Sequence, residues 1–521
     1  LGLKPSRGGQ HVHGDEGFDI RPLGVEKASR AVFRVNHAVR APFAPLLSCI
    51  AALMPFPAAP RKSRFFRAAA LATAVAVTIA GLPAPAVAQS KDRLAPVRDA
   101  ETEELMRDYA TPLLRVAGID PSVVQIALIG DFSFNAFVAN GRRIFINLGA
   151  IVDSKTPNQL IGVLAHETGH IAGGHLSNLR QQIDAAQTRS IIAMLLGVAA
   201  VAGGAMAGAS GETVAGTARA AATAPGEIIK RDLLAYVRAQ EQAADQAGIS
   251  YLTKTGQSGK GMLQTFKGFA DKSMFSARFV DPYAVTHPMP AERIALLERA
   301  VNASPSVNAT DSPALLLRHQ MVRAKIVGFM KGADAVARAY PATDTSLPAR
   351  YARAVSAYRF GNVDDAQKKI DALIAEQPGN PYFWELKGQS LLEGGKPRQA
   401  IEPLRRAASM KPKAGLIRMM LGEAMIAAND NSLLDNAMTE LRQATAYEPE
   451  ASKAYRNLAT AYGRKGQNAE ADLASAQAYF YSGDLATSKS MAARAKSQLA
   501  TGSPGWLRAD DIVNYRSPKL K

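Results

Sequence analysis

The chain has 521 residues, 47% of them hydrophobic, and a formal net charge of +17. That length calls for more than one domain, and that apolar content for well-formed cores within them. The single cysteine, Cys49, excludes a disulfide framework and any cysteine-ligated zinc or iron–sulfur centre, so metal chemistry must rest on His, Asp and Glu.

The positive charge is not a nucleic-acid signature. Residues 1–88 hold 11 Lys/Arg against four Asp/Glu, which leaves +10 on the remainder. That remainder has no zinc finger, aromatic RNA-binding pair or dense basic run. A broadly basic surface suits anionic lipid or acidic partners as well as it suits DNA, and no nucleic-acid partner is expected.

Residues 1–53 are irregular and read as sequence upstream of the true start. Residues 54–88 have the three parts of a secretory signal peptide: the basic run Arg61-Lys62-Ser63-Arg64 with Arg67, the uncharged stretch Ala68 to Val87, and the small-x-small site Ala86-Val87-Ala88. Export with cleavage after Ala88 is expected, the alternative being an internal basic apolar helix. The exported chain would then hold no cysteine.

Residues 89–305 are expected to form one domain. Leu105, Tyr109 and Leu113 have helical spacing, with Pro112 the expected point of a break or kink. Val124 to Gly130, Ala136 to Val138 and Arg143 to Asn147 read as strands, the last two joined by a hairpin turn at Asn140-Gly141. Ile144 to Asn147 is a candidate edge strand for an extended peptide, or else an ordinary core strand.

The chemistry lies in Leu164-Ala-His-Glu-Thr-Gly-His-Ile-Ala-Gly-Gly-His175. His166 and His170, four apart on a helix, share one face and converge on one metal ion, while Glu167 stands beside them to take a proton from water. The helix should start at Pro157, after Thr156, with Leu160, Val163 and Leu164 facing inward. His175 is one residue short of the third histidine of a His-Glu-x-x-His-x-x-Gly-x-x-His site. It reads as a side chain supporting the ligands or lying on the surface. Glu241, within Arg238-Ala-Gln-Glu-Gln-Ala-Ala-Asp245, is the better third ligand, which leaves a fourth position for water. Asp245, one turn further, is placed to hold the N–H of a ligand histidine.

These motifs resemble the HtpX / CAAX-prenyl-protease family of zinc endopeptidases, over roughly residues 95–300. The resemblance is nearest to its soluble, exported bacterial branch with helical repeats. Asn135-Ala-Phe137 and Thr286-His-Pro288 followed by Glu292-Arg-Ile294 are similar to that branch. It implies an α+β zincin-like domain, mostly helical with a small sheet. It also implies one zinc ion per chain on His166, His170 and Glu241, with Glu167 as base and Asn135 among the residues supporting the site or touching substrate. His287 either donates to the oxyanion or is a fourth ligand that keeps the resting enzyme closed. Arg293 either buttresses its loop or binds a substrate carboxylate. The clear membrane spans of the integral members are missing from the sequence, which speaks against prenyl-protein processing.

Ser190 to Ser210 is uncharged and nearly long enough to span a bilayer. A single crossing would separate His170 from Glu241, so it reads as a buried hairpin or as a lid making peripheral membrane contact.

Residues 312–515 are expected to form an all-α tetratricopeptide solenoid. Ala366 and Pro378 recur 34 residues on as Ala400 and Pro412, and Gly388 as Gly422, with a three-residue insertion around Asn429 to Ser432. The whole reads as a periplasmic zinc endopeptidase, peripherally associated with the outer membrane. Its expected targets are unfolded or misassembled envelope proteins, with the repeats capturing these or the outer-membrane assembly machinery. The reading of another class is a periplasmic chaperone or assembly scaffold with latent protease activity.

Overall fold

The computed structural model describes residues 96–185, 211–275, 283 and 287–517, and of residues 211–230 and 272–275 only the helical backbone. The stretch 1–53, the leader expected over 54–88 and the apolar segment 190–210 lie outside the described residues.

Helix α1 (Ala100–Val116) begins at Asp99, whose carboxylate accepts the Thr102 N–H, and runs on past Pro112. Its Leu105, Tyr109 and Leu113 are buried. A four-stranded sheet follows: β1 (Pro96–Val97), β2 (Gln125–Ile129), β3 (Ala136–Ala139) and β4 (Arg143–Asn147), in the order β1-β2-β4-β3. The β3–β4 hairpin closes from Ala139 to Arg143 through a three-residue turn, Asn140 to Arg142, in which Asn140 and Gly141 have positive φ (54° and 69°). β4 then returns between β3 and β2, pairing with β2 in parallel from Gln125↔Arg143 to Ile129↔Asn147. The expectation of an edge at Ile144 to Asn147 is therefore corrected. That strand is hydrogen-bonded on both sides, and β3 is the outer strand.

After the short α2 (Leu148–Asp153) comes α3 (Pro157–Ala172), started by the Thr156 side chain on the Gln159 N–H, with Pro157 in its first turn. Helices α4 (Gly211–Lys254), α5 (Lys260–Phe275) and α6 (Ala291–Ala303) complete the domain. Leu160, Val163 and Leu164 of α3 join Leu105, Leu128, Ile144, Ile146, Leu252 and Phe266 in one core between sheet and helices. No described helix is long and apolar enough to cross a membrane.

From α7 (Pro313–Met330) onward the chain is helical. Leu347–Phe360 packs on Val363–Glu376, Pro381–Glu393 on Pro397–Met410, Gly415–Ala427 on Leu434–Tyr447, and Ser452–Arg464 on Asn468–Ser482. The repeat is visible in the packing itself. A Cβ on Gly388 would lie 2.4 Å from Leu404 Cγ, and one on Gly422 would lie 2.5 Å from Leu441 Cγ. The later pair is three residues further apart in sequence, because the insertion forms a short 3₁₀ turn at Asn431–Leu433.

The two parts are joined by side chains from 98–109 reaching the helical region. Tyr351 donates to Glu101 (2.8 Å), Tyr382 to Glu104 (2.6 Å) and Lys411 to Glu104 (2.6 Å), and Arg98 pairs with Glu448 (2.5 Å). His319 of α7 lies between Tyr109 Oη (3.1 Å) and the Ser154 carbonyl (2.8 Å). At the centre, the buried Lys325 ammonium stands 2.5 Å from Asp99, 3.3 Å from Glu101 and 3.5 Å from Glu385.

One ammonium facing three carboxylates is short of positive charge. Burial pushes Glu385 up to about 7 against the opposing pull of Lys325, with Asp99 and Glu101 adding to the rise; burial raises Glu101 as well. The native chain thus keeps a proton that the unfolded chain releases near pH ~4.3, so the stabilisation is full below that value and is lost as pH rises toward 7. Glu385→Gln is expected to flatten the pH dependence of the melting temperature between pH 5 and 8, and at pH 8 to be no less stable than the wild type. The change in unfolding free energy across that range should be on the order of 1–3 kcal/mol. An undiminished slope in the variant would show that the proton resides elsewhere.

Candidate metal centre

α3 and α4 approach closely where Gly169 faces α4; a Cβ there would stand 2.8 Å from the Ala244 carbonyl oxygen. That approach places His166 and His170, on one face of α3, against Glu241 and Asp245, one turn apart on α4. His287 enters from the chain after Tyr283, its N–H donating to the Tyr283 carbonyl (2.8 Å) and its ring 4.5 Å from the tyrosine ring.

Four side chains, His166, His170, Glu241 and His287, each offer one donor atom, all within 4.8 Å of one another. His166 Nε2 lies 3.0 Å from His170 Nε2, 3.2 Å from His287 Nδ1 and 3.4 Å from Glu241. His170 Nε2 is 3.3 Å from the same carboxylate, and His287 Nδ1 3.0 Å. Tetrahedral donors at bond lengths of about 2.0–2.1 Å stand about 3.3 Å apart, so this set fits a mononuclear site for a zinc-sized ion.

The other nitrogen of each imidazole faces a second polar group. His166 Nδ1 is 3.0 Å from Asp245 Oδ1, His170 Nδ1 is 2.9 Å from His175 Nδ1, and His287 Nε2 is 3.5 Å from Glu167 Oε1. Arg293, 3% exposed, donates through Nε and Nη2 to Asp245 (2.6 and 2.8 Å). Its Nη1 lies 2.9 Å from both Glu241 and the Pro288 carbonyl. All three of its nitrogens are thus engaged inside the site.

The electrostatics ask for a cation. Burial lowers His166, but Asp245 and Glu241 outweigh it and raise the ring to about 9. Burial works against Glu241, yet its hydrogen bonds with His166, His170 and His287 hold it well below the usual carboxylate range. Both acidic partners thus favour positive charge at this place. Glu167 differs. Neither carboxylate oxygen has a hydrogen-bond partner, and burial pushes the group up to about 7 despite nearby His166 and His170. His175 is kept neutral, lowered to about 4 by burial and then by His170.

Asn135 stands apart from the converging set. It precedes β3, its carbonyl accepts the Asn147 N–H (2.9 Å), and its side-chain Oδ1 is buried without a partner. An aromatic wall lines the site: Phe266 meets His166 edge-on at 5.4 Å, and Tyr283 lies under His287. The sequence carries one signal of it, since Tyr283 precedes His287 by four residues.

A buried His–His–Glu–His cluster, with a glutamate beside its first histidine whose oxygens accept no hydrogen bond, is the site of a metallopeptidase. Residues 96–301 match the model of peptidase family M48, and residues 351–415 and 386–437 match tetratricopeptide repeats. The chain carries an M48 peptidase domain followed by such repeats and is homologous to the beta-barrel assembly-enhancing proteases, in keeping with the resemblance drawn from its motifs. The protein of that name from Escherichia coli strain K12 is 26% identical over 399 residues, covering 74% of this chain and 77% of the relative. That from Escherichia coli O157:H7 is 25% identical over 403 residues, with the same coverage. The putative beta-barrel assembly-enhancing protease of Vibrio cholerae is 27% identical over 264 residues, 49% of this chain and about half (51%) of the relative's length.

Proposed function

We propose that this chain is a zinc-dependent endopeptidase of the bacterial cell envelope that cleaves unfolded or misassembled proteins, outer-membrane β-barrel components among them. The observation that carries it is the convergence of four metal-type donors beside a buried glutamate whose oxygens have no hydrogen-bond partner. The repeats capture the client or the assembly machinery, and a periplasmic location with peripheral outer-membrane contact follows from the similarity to the assembly-enhancing proteases.

His166, His170 and Glu241 hold the zinc ion, which when bound polarises a peptide carbonyl and makes water more acidic. Glu167 takes the proton of the attacking water and passes it to the departing amine; a buried carboxyl poised near neutrality suits both transfers. Asp245, itself clamped by Arg293, fixes the ring of His166. The outer strand β3, with Asn135 at its head, is the segment to which an extended client adds.

His287 favours a latent state. Its Nδ1 stands within the same donor set as His166, His170 and Glu241, so the ring would have to leave before water could reach an ion held there. The test is zinc-dependent cleavage of an unfolded outer-membrane β-barrel protein and of its folded form. Cleavage of the unfolded form alone, faster in His287→Ala than in wild type, is expected. Slower cleavage by His287→Ala would instead make the ring an oxyanion donor. Cleavage by neither protein, with client binding retained, would transfer the function to a scaffold.

A further inference from the structure

His166 and His287 each rest an outward nitrogen near a carboxylate, whereas His170 rests on another imidazole. We propose that His175 is a positioning residue for the metal centre: it accepts the Nδ1–H of His170 and so fixes the tautomer that presents Nε2 to the metal, and Gly173 is glycine to leave room for its ring. The proposal rests on the reading of the cluster as a metal site.

Two nitrogens 2.9 Å apart share one proton, so one donates and the other accepts. His170 Nε2 lies in the converging set, and a ligating nitrogen carries no proton. The neutral ring then holds its proton on Nδ1, which makes His175 Nδ1 the acceptor and leaves the His175 proton on Nε2. An imidazole does the orienting work of the usual carboxylate or carbonyl partner without adding negative charge to a site that already holds Glu241, Asp245 and Glu167.

The turn after α3 explains how a residue five positions on, off the helical face, reaches back. Gly174 has φ +60°, the left-handed conformation that reverses the chain after a helix, and residues 175–185 start a new helix. Gly173 is different. Its φ of −75° and ψ of −8° suit any L residue, so conformation does not call for glycine there. Volume does: a Cβ would lie 2.1 Å from His175 Nε2 and 2.4 Å from its Cδ2. Of the two neighbouring glycines, one makes the turn and the other makes the space.

The test measures zinc affinity of the full chain by competition with a chromophoric chelator, beside kcat/KM on an unfolded protein. His175→Phe keeps a ring but has no acceptor; His175→Asn loses the ring but places an oxygen near the Nδ1 position. We expect zinc binding about 10–100-fold weaker in the Phe variant, with the Asn variant close to wild type. Gly173→Ala should weaken zinc binding in the wild-type background and do little in the His175→Asn background, where the crowded ring atoms are gone. Melting of each variant in excess chelator separates loss of fold from loss of the hydrogen bond. Should the Phe variant not fold, the two Gly173→Ala backgrounds decide. Phe binding zinc as well as or better than Asn, or Gly173→Ala acting equally in both backgrounds, would overturn the proposal. Absence of zinc from the wild type would overturn the metal reading and this one with it.

Discussion

Glu167→Gln is expected to lower cleavage of an unfolded protein by about 10²–10⁴-fold, with zinc content unchanged. Glutamine matches the shape of the side chain and leaves the three imidazoles and Glu241 in place, so binding of metal and client should persist. What it removes is the acceptor of a proton. The site singles Glu167 out for that role: it is 1% exposed, both its oxygens are without hydrogen-bond partners, and burial holds its carboxyl near neutrality. A variant that cleaves at more than a tenth of the wild-type rate would move the base to another group.

The largest stability effect is expected at Lys325, far in sequence from the residues it joins. Lys325→Met should cost about 3–5 kcal/mol at pH 8, because the buried Glu101 and Glu385 and the partly buried Asp99 would face one another without their cation. The loss should shrink toward pH 5, where Glu385, raised by burial to about 7, takes up a proton. Combining Lys325→Met with Glu385→Gln should recover part of it by removing one of the three charges. Chemical denaturation at both pH values reads all three. A Lys325→Met chain as stable as wild type at pH 8 would mean that the cluster does not join peptidase and repeats.

These two sites differ in how far the sequence alone reveals them. The helix carrying His166 and His170 is legible because its signals are local: a residue that caps it, a proline in its first turn and ligands one turn apart. Asn140-Gly141 and the 34-residue recurrence from Ala366 to Ala400 are local in the same sense, and the three-residue insertion reappears as the wider Gly422–Leu441 spacing. Strand order is not local. Nothing within Ile144 to Asn147 reports that β2, paired with it in parallel, covers the side that would otherwise be an edge. The Lys325 cluster draws partners from 99, 101 and 385, separations at which no periodicity speaks. His175 escapes helical reasoning because the left-handed turn at Gly174 takes it off the helix and folds it under His170.

The most direct measurement is the metal content of the purified chain by elemental mass spectrometry, for wild type, Glu167→Gln, His170→Ala and Glu241→Gln. The account predicts one zinc per chain in wild type and in Glu167→Gln, and little or none in the two ligand variants. Wild type devoid of zinc after reconstitution, or His170→Ala retaining a full equivalent, would contradict it.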